Sequence, residues 1–289
     1  MSYLLTIVKP DVAVFLNVFP VHTMQFEKTI RDGLPEDKKM EAILSAIAFE
    51  RGRIITASGC KTAVFNSENK YVQQVITKSK DLLYKKNLLR FGYSAKNDAR
   101  IMSYSVSLTG TSFTMSISGK PVELTFKNYI LPREYGELFA AAFLVGQNAG
   151  LHVDDMKKDI EASFHLPPGR ATLLTGGHES IIIDSSYNAS REAVMAFLNV
   201  LKELKNATRR PIVFLFGDMR ELGAEAKNEH LIVAKNIVGI VDEVYLVGPL
   251  TKDYVMPYVM QKGVKVQWFE TSVKAGEYLR DALPSRFVS

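Results

Sequence analysis

The chain holds one cysteine, Cys60, in 289 residues. No disulfide can close within it and no cysteine-built zinc site can be assembled, which fits a reducing cytoplasm. It lacks any run approaching the roughly 20 uninterrupted apolar residues that span a bilayer. Its N-terminus has no basic start followed by an apolar run and a cleavage site, so neither membrane insertion nor export is expected. A basic block interleaved with aromatics is missing too. The net charge of +5 is spread along the chain, with acidic and basic residues alternating in stretches such as Glu36 to Glu41 and Lys157 to Glu161. That balance excludes nucleic acid as the expected partner and suits anionic small ligands. Internal repeats and low-complexity tracts are also absent.

What is present is 47% hydrophobic content, enough in a chain of this length for two ordinary cores. Lys9 to Val18 (KPDVAVFLNV) has the β-branched, apolar character of a buried parallel strand entered by a turn at Pro10 and Asp11. Residues 36–50 place Met40, Ile43, Leu44 and Ile47 at helical spacing, and 61–66 (KTAVFN) return to strand, a βαβ rhythm. Between Arg100 and Phe126 the period falls to two: Tyr104, Val106, Leu108, then Phe113, Met115, Ile117, then Val122, Leu124, Phe126. Two antiparallel hairpins are expected, the second turning at Ser118, Gly119 and Lys120. Helices are expected over 134–148 and 153–164, ending at the break Leu166, Pro167, Pro168, Gly169. The domain boundary belongs there, giving 1–166 and 167–289.

Beyond the break, strands at 180–184, 211–216, 243–247 and 264–269 alternate with three helical stretches. This predicts a second α/β domain whose parallel sheet is covered on both faces. Ser190 is a good N-cap for the first of those helices. Val194, Phe197, Leu198, Leu201 and Leu204 form its apolar stripe, so Met195 and Phe197 read as core.

In an open α/β sheet, ligands bind beyond the carboxyl ends of the strands. Three strand-end loops carry suitable chemistry: Asn17, Pro20 and His22; Asp184, Tyr187 and Asn188; Gly217, Asp218 and Glu221. Taken singly each has a structural explanation, because Asn and Asp cap helices and make turns and a lone His is more often a satisfied structural residue.

Taken together they resemble the Mur ligases, and within that family the branch that adds D-alanyl-D-alanine to a muramoyl tripeptide. IIIDSSYNAS is similar to the family's aspartate-rich strand end followed by YNANP. FGDMRELGAEAKNEH is similar to its GDM-ELG segment with a following histidine, here His230, and the two segments stand in the family's order. Upstream, KPDVAVFLNVFPVH looks like the strand ending in TNIGPAH, KTAVFNSEN like AVLNADD, and LPPGRATLL like the interdomain GRM segment. The resemblance implies an α/β fold: a partial central ATPase domain, parallel sheet plus antiparallel hairpins, followed by a Rossmann-like C-terminal domain.

It also implies a reaction. ATP phosphorylates the terminal carboxylate of a UDP-MurNAc-peptide, the amine of D-alanyl-D-alanine attacks the acyl phosphate, and phosphate leaves. Such chemistry depends on cations that neutralise crowded phosphoryl oxygens, hence ATP with Mg2+ as cofactors. By resemblance, His22 is a magnesium ligand. Lys39, in KKMEAI matched to AKGEI, is a lysine converted to a carbamate that also binds magnesium, with Glu41 alongside and Lys38 as the alternative. Arg170 reaches the ATP phosphates with its planar fork. Asn17, Asn66 and the loop of Asp184, Tyr187 and Asn188 contact the nucleotide, and Asp218 with Glu221 shapes the substrate face.

Some family features have no counterpart. No Gly-rich loop ending in Gly-Lys-Thr occurs, and the nearest segments, LTGTS and SISGK, fall in the hairpins. The N-terminal UDP-sugar domain and the closing KGSR segment have no match, so a fragment is expected, or one part of a split enzyme whose phosphate-loop half is a separate chain. Ser185 replaces an aspartate, Arg191 a proline and Phe19 a glycine, and LPREYGE (131–137) stands for the family's GxHNxxN near the nucleotide. Two alternatives stay open: a non-catalytic binding module, and a Mur-type ligase with a different acceptor, against which the YN-A and GDM-ELG segments argue.

Overall fold

The structure, a computed structural model, describes residues 1–20, 23–27, 30, 34–176 and 180–286. The chain divides into two compact units. Unit 1 comprises Met1–Ser105, Ser112–Phe126 and Arg133–Phe164; unit 2 comprises Val106–Thr111, Lys127–Pro132 and the chain from His165 onward.

Unit 1 runs α1 (Ser2–Ile7), β1 (Val12–Phe15), α2 (Met24–Glu27), α3 (Glu36–Thr56), β2 (Thr62–Asn66), α4 (Lys70–Lys78), α5 (Lys80–Leu83), β3 (Asn87–Gly92), β4 (Ala99–Ser107), β5 (Gly110–Ile117), β6 (Lys120–Lys127), α6 (Tyr135–Asn148) and α7 (Val153–Ser163). Its strands form one sheet in chain order, β1 to β6. β1 pairs parallel with β2, β2 with β3, and β3 with β4, before the chain folds into antiparallel hairpins. β2 is buried along its whole length, as expected of a parallel strand covered on both faces. Ala13 and Phe15 of β1 pack with Ile43, Ile47 and Ile55 of α3 and with Val72 and Val75 of α4. Asn69 starts α4 by accepting the backbone N–H groups of Tyr71 and Val72 at 3.2 and 3.1 Å.

The period-two residues of the hairpins are buried as their spacing predicts, Phe113, Met115 and Ile117 on β5 and Val122, Leu124 and Phe126 on β6. They meet α6 through aromatic contacts. Phe126 stacks on Phe139 with centroids 4.7 Å apart, and Phe113 and Phe164 each approach Phe139 edge-on at 5.5 Å. The helix expected over 36–50 continues to Thr56, and the strand expected over Lys9 to Val18 contracts to Val12–Phe15.

Unit 2 continues with β7 (Thr172–Thr175), β8 (Ile181–Asp184), α8 (Arg191–Thr208), β9 (Val213–Gly217), a 3-10 turn (Gly223–Glu225), α9 (Ala226–Ile237), β10 (Glu243–Val247), a π-turn (Thr251–Val255), α10 (Met256–Gln261), β11 (Lys265–Phe269) and α11 (Ser272–Arg286). β9, β10 and β11 form a parallel sheet with β10 central. One face packs on α8 and α9 through Leu198, Val233, Ile237 and Leu246; the other packs Tyr245 and Phe269 on Ala275 and Tyr278 of α11. Ser190 caps α8 by accepting Ala193 N–H at 3.3 Å.

One expectation needs correcting. β8 does not extend this parallel sheet; it pairs antiparallel with β7 in a two-stranded sheet of its own. The reason lies in α8, which has a second apolar strip: Val200 and Leu204 take up Leu173 and Ile183, leaving Ile182 46% exposed where an inner parallel strand would bury it. Among the described residues no helix is long and apolar enough to cross a membrane.

Phe139 joins four rings in the unit 1 core, those of Phe113, Phe126, Tyr135 and Phe164, so Phe139→Ala is expected to cost about 3–5 kcal/mol in a denaturant titration. A loss below about 1 kcal/mol would show that the aromatic cluster relaxes around the cavity.

Candidate functional site

Because β1, β2 and β3 run parallel, their carboxyl ends share one edge. Asn17, just beyond β1, donates Nδ2–H to Glu137 Oε2 at 2.7 Å. Asn66, the last residue of β2, donates Nδ2–H to Asn17 Oδ1 at 2.8 Å, and its own Oδ1 accepts Glu68 N–H at 2.8 Å. Asn69 ties the same edge together by donating to the Val18 carbonyl at 3.3 Å. Beyond β3, the Glu68 carboxylate accepts the N–H groups of Tyr93 and Ser94, both at 2.6 Å. Gly92, at φ +141°, makes this approach possible, since a Cβ there would stand 2.9 Å from that carboxyl.

Glu137 enters from the first turn of α6. Burial raises its pKa, and the hydrogen bonds from Asn17 and Asn66 only partly oppose this. Burial, followed by the charge of Glu137, pushes the Tyr93 phenol up to about 12. The edge therefore disfavours further negative charge unless a proton or cation accompanies it. Glu137 was not singled out by sequence; its one signal is its place in the LPREYGE segment.

His22 lies outside the described residues. Lys39 sits half-buried in the first turn of α3 and Lys38 is exposed. Glu41, expected beside the lysine, is paired with Lys70 at 2.5 Å, and that hydrogen bond holds its carboxyl below the usual range. Among the described residues no three His, Cys, Asp or Glu side chains gather as a metal site. Of the two residues expected to hold magnesium, Lys39 alone is among the described ones.

In unit 2 the two arms of the predicted nucleotide set meet. The Arg170 guanidinium lies 4.3 Å from the Tyr187 ring centroid, and the Gly169 carbonyl accepts Tyr187 N–H at 3.1 Å. Both side chains are exposed. Stacking on a ring restrains the guanidinium plane while leaving its N–H edge open to an anion. Asp184 Oδ1 accepts Ser186 N–H at 3.0 Å, an Asx turn that shapes the loop, and Asn188 is exposed.

Asp218, after β9, accepts the N–H groups of Leu250 and Thr251 at 3.2 and 2.8 Å. Its carboxylate thus joins the ends of β9 and β10, and Gly248, at φ +99°, leaves room for it. Glu221 is exposed and holds a left-handed φ of +60°, an uncommon conformation for a residue with a side chain. His230 is fully buried: Nδ1 lies 2.6 Å from the Ala226 carbonyl and Nε2 accepts Met219 N–H at 3.1 Å. These partners assign a neutral ring protonated on Nδ1, and burial lowers its pKa accordingly.

Residues 169–288 match the family described as Mur ligase, glutamate ligase domain. Over 163 residues, 55% of this chain, the sequence is 31% identical to UDP-N-acetylmuramoyl-tripeptide–D-alanyl-D-alanine ligase of Escherichia coli, covering 34% of that protein. The fold is similar to MurF from Acinetobacter baumannii (TM-score 0.74, 18% identity, 98% of this chain and 55% of that one). It is also similar to MurF ligase from Thermotoga maritima in complex with ADP (TM-score 0.69, 20% identity, 97% of this chain and 58% of that one). The chain thus spans about a third of the curated relative's length and little more than half of each solved structure. These matches bear out the resemblance to the Mur ligases and the α/β architecture expected from it.

Glu137→Gln keeps an acceptor for Asn17 and removes the buried charge. Because the folded pKa of Glu137 lies above the ordinary 4.5, its stabilising contribution is present at low pH and lost as pH rises through the raised value. The unfolding free energy of the wild type minus that of Glu137→Gln is therefore expected to fall as pH rises above 4.5 in urea titrations; a flat or rising difference contradicts a desolvated carboxylate. Asn17→Ala strands polar atoms of both Asn66 and Glu137 and is expected to cost about 1–3 kcal/mol in the same assay.

Proposed function

We propose that this chain supplies strand-end residues to the active site of an ATP-dependent, amide-bond-forming ligase of peptidoglycan precursor synthesis. In this reading the γ-phosphoryl group of ATP passes to the terminal carboxylate of a UDP-MurNAc-tripeptide. The amine of D-alanyl-D-alanine then attacks the acyl carbonyl, and phosphate leaves with the bonding electrons of the C–O bond. The observation that carries the reading is the meeting of Asn17 and Asn66 at the carboxyl edge of a parallel sheet, where an α/β fold binds its ligands. The family match of residues 169–288 supports it.

The roles follow from the chemistry of each side chain. Asn17 and Asn66 orient the nucleotide through amide hydrogen bonds. Arg170, stacked on Tyr187, presents a planar fork to phosphate oxygens, and Asp184 with Asn188 shapes the loop beside it. Asp218 fixes the backbone of the substrate face, with Glu221 on the same loop. By resemblance alone, magnesium is assigned to His22 and a carbamylated Lys39, where it would supply the positive charge that phosphoryl transfer requires. The Gly-Lys-Thr loop comes from polypeptide outside these 289 residues, on this or a separate chain. The domain boundary at 166/167 and a cytoplasmic site of action belong to the same proposal.

A second reading has its own support. The buried Glu137 carboxylate opposes polyanion binding, which favours a binding module without turnover.

Combined with polypeptide bearing the Gly-Lys-Thr loop, the protein is expected to release phosphate from ATP only when UDP-MurNAc-tripeptide and D-alanyl-D-alanine are both present. Release with either omitted contradicts the ligase reading, and nucleotide binding without any release favours the module. His22→Ala and Lys39→Ala are each expected to lower turnover by roughly 100-fold or more. Full activity in either variant removes that residue from the metal set.

A further inference from the structure

The first turn of α9 carries two adjacent buried side chains, Glu229 and His230, that have no part in the proposed chemistry. They hold different loops. His230 receives Met219 N–H from the loop after β9. Glu229 reaches the other way, its Oε1 accepting from Arg191 Nη1 at 2.9 Å. Arg191 is the first residue of α8, directly after the cap Ser190 and three after Asn188. Its Nε and Nη2 are spent on Glu192 Oε1 at 3.1 and 2.7 Å. At this position the resembled segment has proline, which fixes its own φ; here an ion pair ties the loop to a neighbouring helix instead.

We propose that Glu229 is a positioning residue: acting through Arg191, it holds the Tyr187–Asn188 loop against the same helical turn that holds Met219, and its grip depends on pH.

The charges around Glu229 explain the dependence. Arg191 and Glu192 face it from α8 and Glu225 from the 3-10 turn, while His230 follows it on α9 with Asp218 acting on that histidine. From the π-turn, Tyr254 lies against the His230 ring at 6.3 Å, while Lys252 sits over Trp268 and, beyond α10, Lys262 over Tyr258. One arginine therefore serves two carboxylates, with a third, Glu225, adding its charge beside Glu229. The Oε2 atoms of Glu229 and Glu192 are both buried without a hydrogen-bond partner, a costly state for a charged group. Burial outweighs the pull of Arg191 and raises the Glu229 carboxyl to about 7.

Above that pH the tether is an ion pair; below it the link to α9 is a weaker neutral one. The sign for overall stability is opposite. A raised acid pKa means that the group's contribution to stability is present below 4.5 and lost as pH rises through about 7, so the loop is held most firmly where the buried charge weighs most on the fold.

Amide hydrogen exchange at pH 6 and pH 8, corrected for intrinsic rates, tests this on the chain without ligand. Tyr187 N–H bonds to the Gly169 carbonyl and Ala193 N–H to Ser190 Oγ, so these two amides report the tether. Their protection is expected to be roughly tenfold greater at pH 8, with Met219 unchanged, and the step is expected to vanish in Glu229→Gln. No step in the wild type, a step that survives in Glu229→Gln, or an equal step at Met219 overturns the proposal. Should Glu229→Gln fail to fold, Arg191→Met must lose the step. The carboxyl carbon of Glu229, followed by 13C NMR in the wild type, must titrate with the same midpoint as the loop; a different midpoint also overturns it. The loop's contact with nucleotide rests on the ligase reading, whereas this experiment contains no nucleotide, so each can fail without the other.

Discussion

Parallel pairing of β1 with β2 and of β2 with β3 obliges three strands to end together, and the residues that follow them must satisfy one another's polar groups. The hydrogen-bonded row from Asn66 to Asn17 to Glu137 is the outcome. Each side chain in it is a partner for the next, so the loop after β1, the end of β2 and the first turn of α6 are fixed as a group. The same logic operates at the ends of β9 and β10 in unit 2. There Asp218 gathers the N–H groups that open the π-turn, and Trp268 Nε1 donates to the Gly248 carbonyl at 2.8 Å.

Buried carboxylates in short supply of cations recur in both units. Glu137 is hydrogen-bonded by side-chain amides, and Glu229 shares Arg191 with Glu192. Both pKa values are raised chiefly by burial, so each site is sensitive to whatever brings a proton or a positive charge near it. For a protein proposed to handle phosphates, that sensitivity ties occupancy to an accompanying cation.

Much of this was legible in the sequence where the signal is local. Helical spacing of Ile43, Leu44 and Ile47 located α3, alternation of Phe113, Met115 and Ile117 located β5, and Ser190 marked the start of α8. Strand-end position points to Asn17 and the family resemblance to Asn66, and their side chains are hydrogen-bonded to each other. What escaped depends on distant partners. Glu137 is 120 positions from Asn17, and Glu229 is 38 from Arg191, separations that leave no periodicity to read. β8 looked like a buried parallel strand because Ile181, Ile182 and Ile183 are apolar. Its antiparallel partner and its exposure are set by the second apolar strip of α8, which only packing reveals.

The central claim is that the Asn17–Asn66 edge receives a nucleotide. Side-chain amide NMR of the 15N-labelled chain during addition of ADP with Mg2+ tests it most directly. Saturable shifts of the Asn17 and Asn66 carboxamide resonances, together with the backbone amides of Glu68 and Asn69, are predicted. Unmoved resonances at that edge, with ADP either silent or perturbing only residues elsewhere in the chain, would contradict the account.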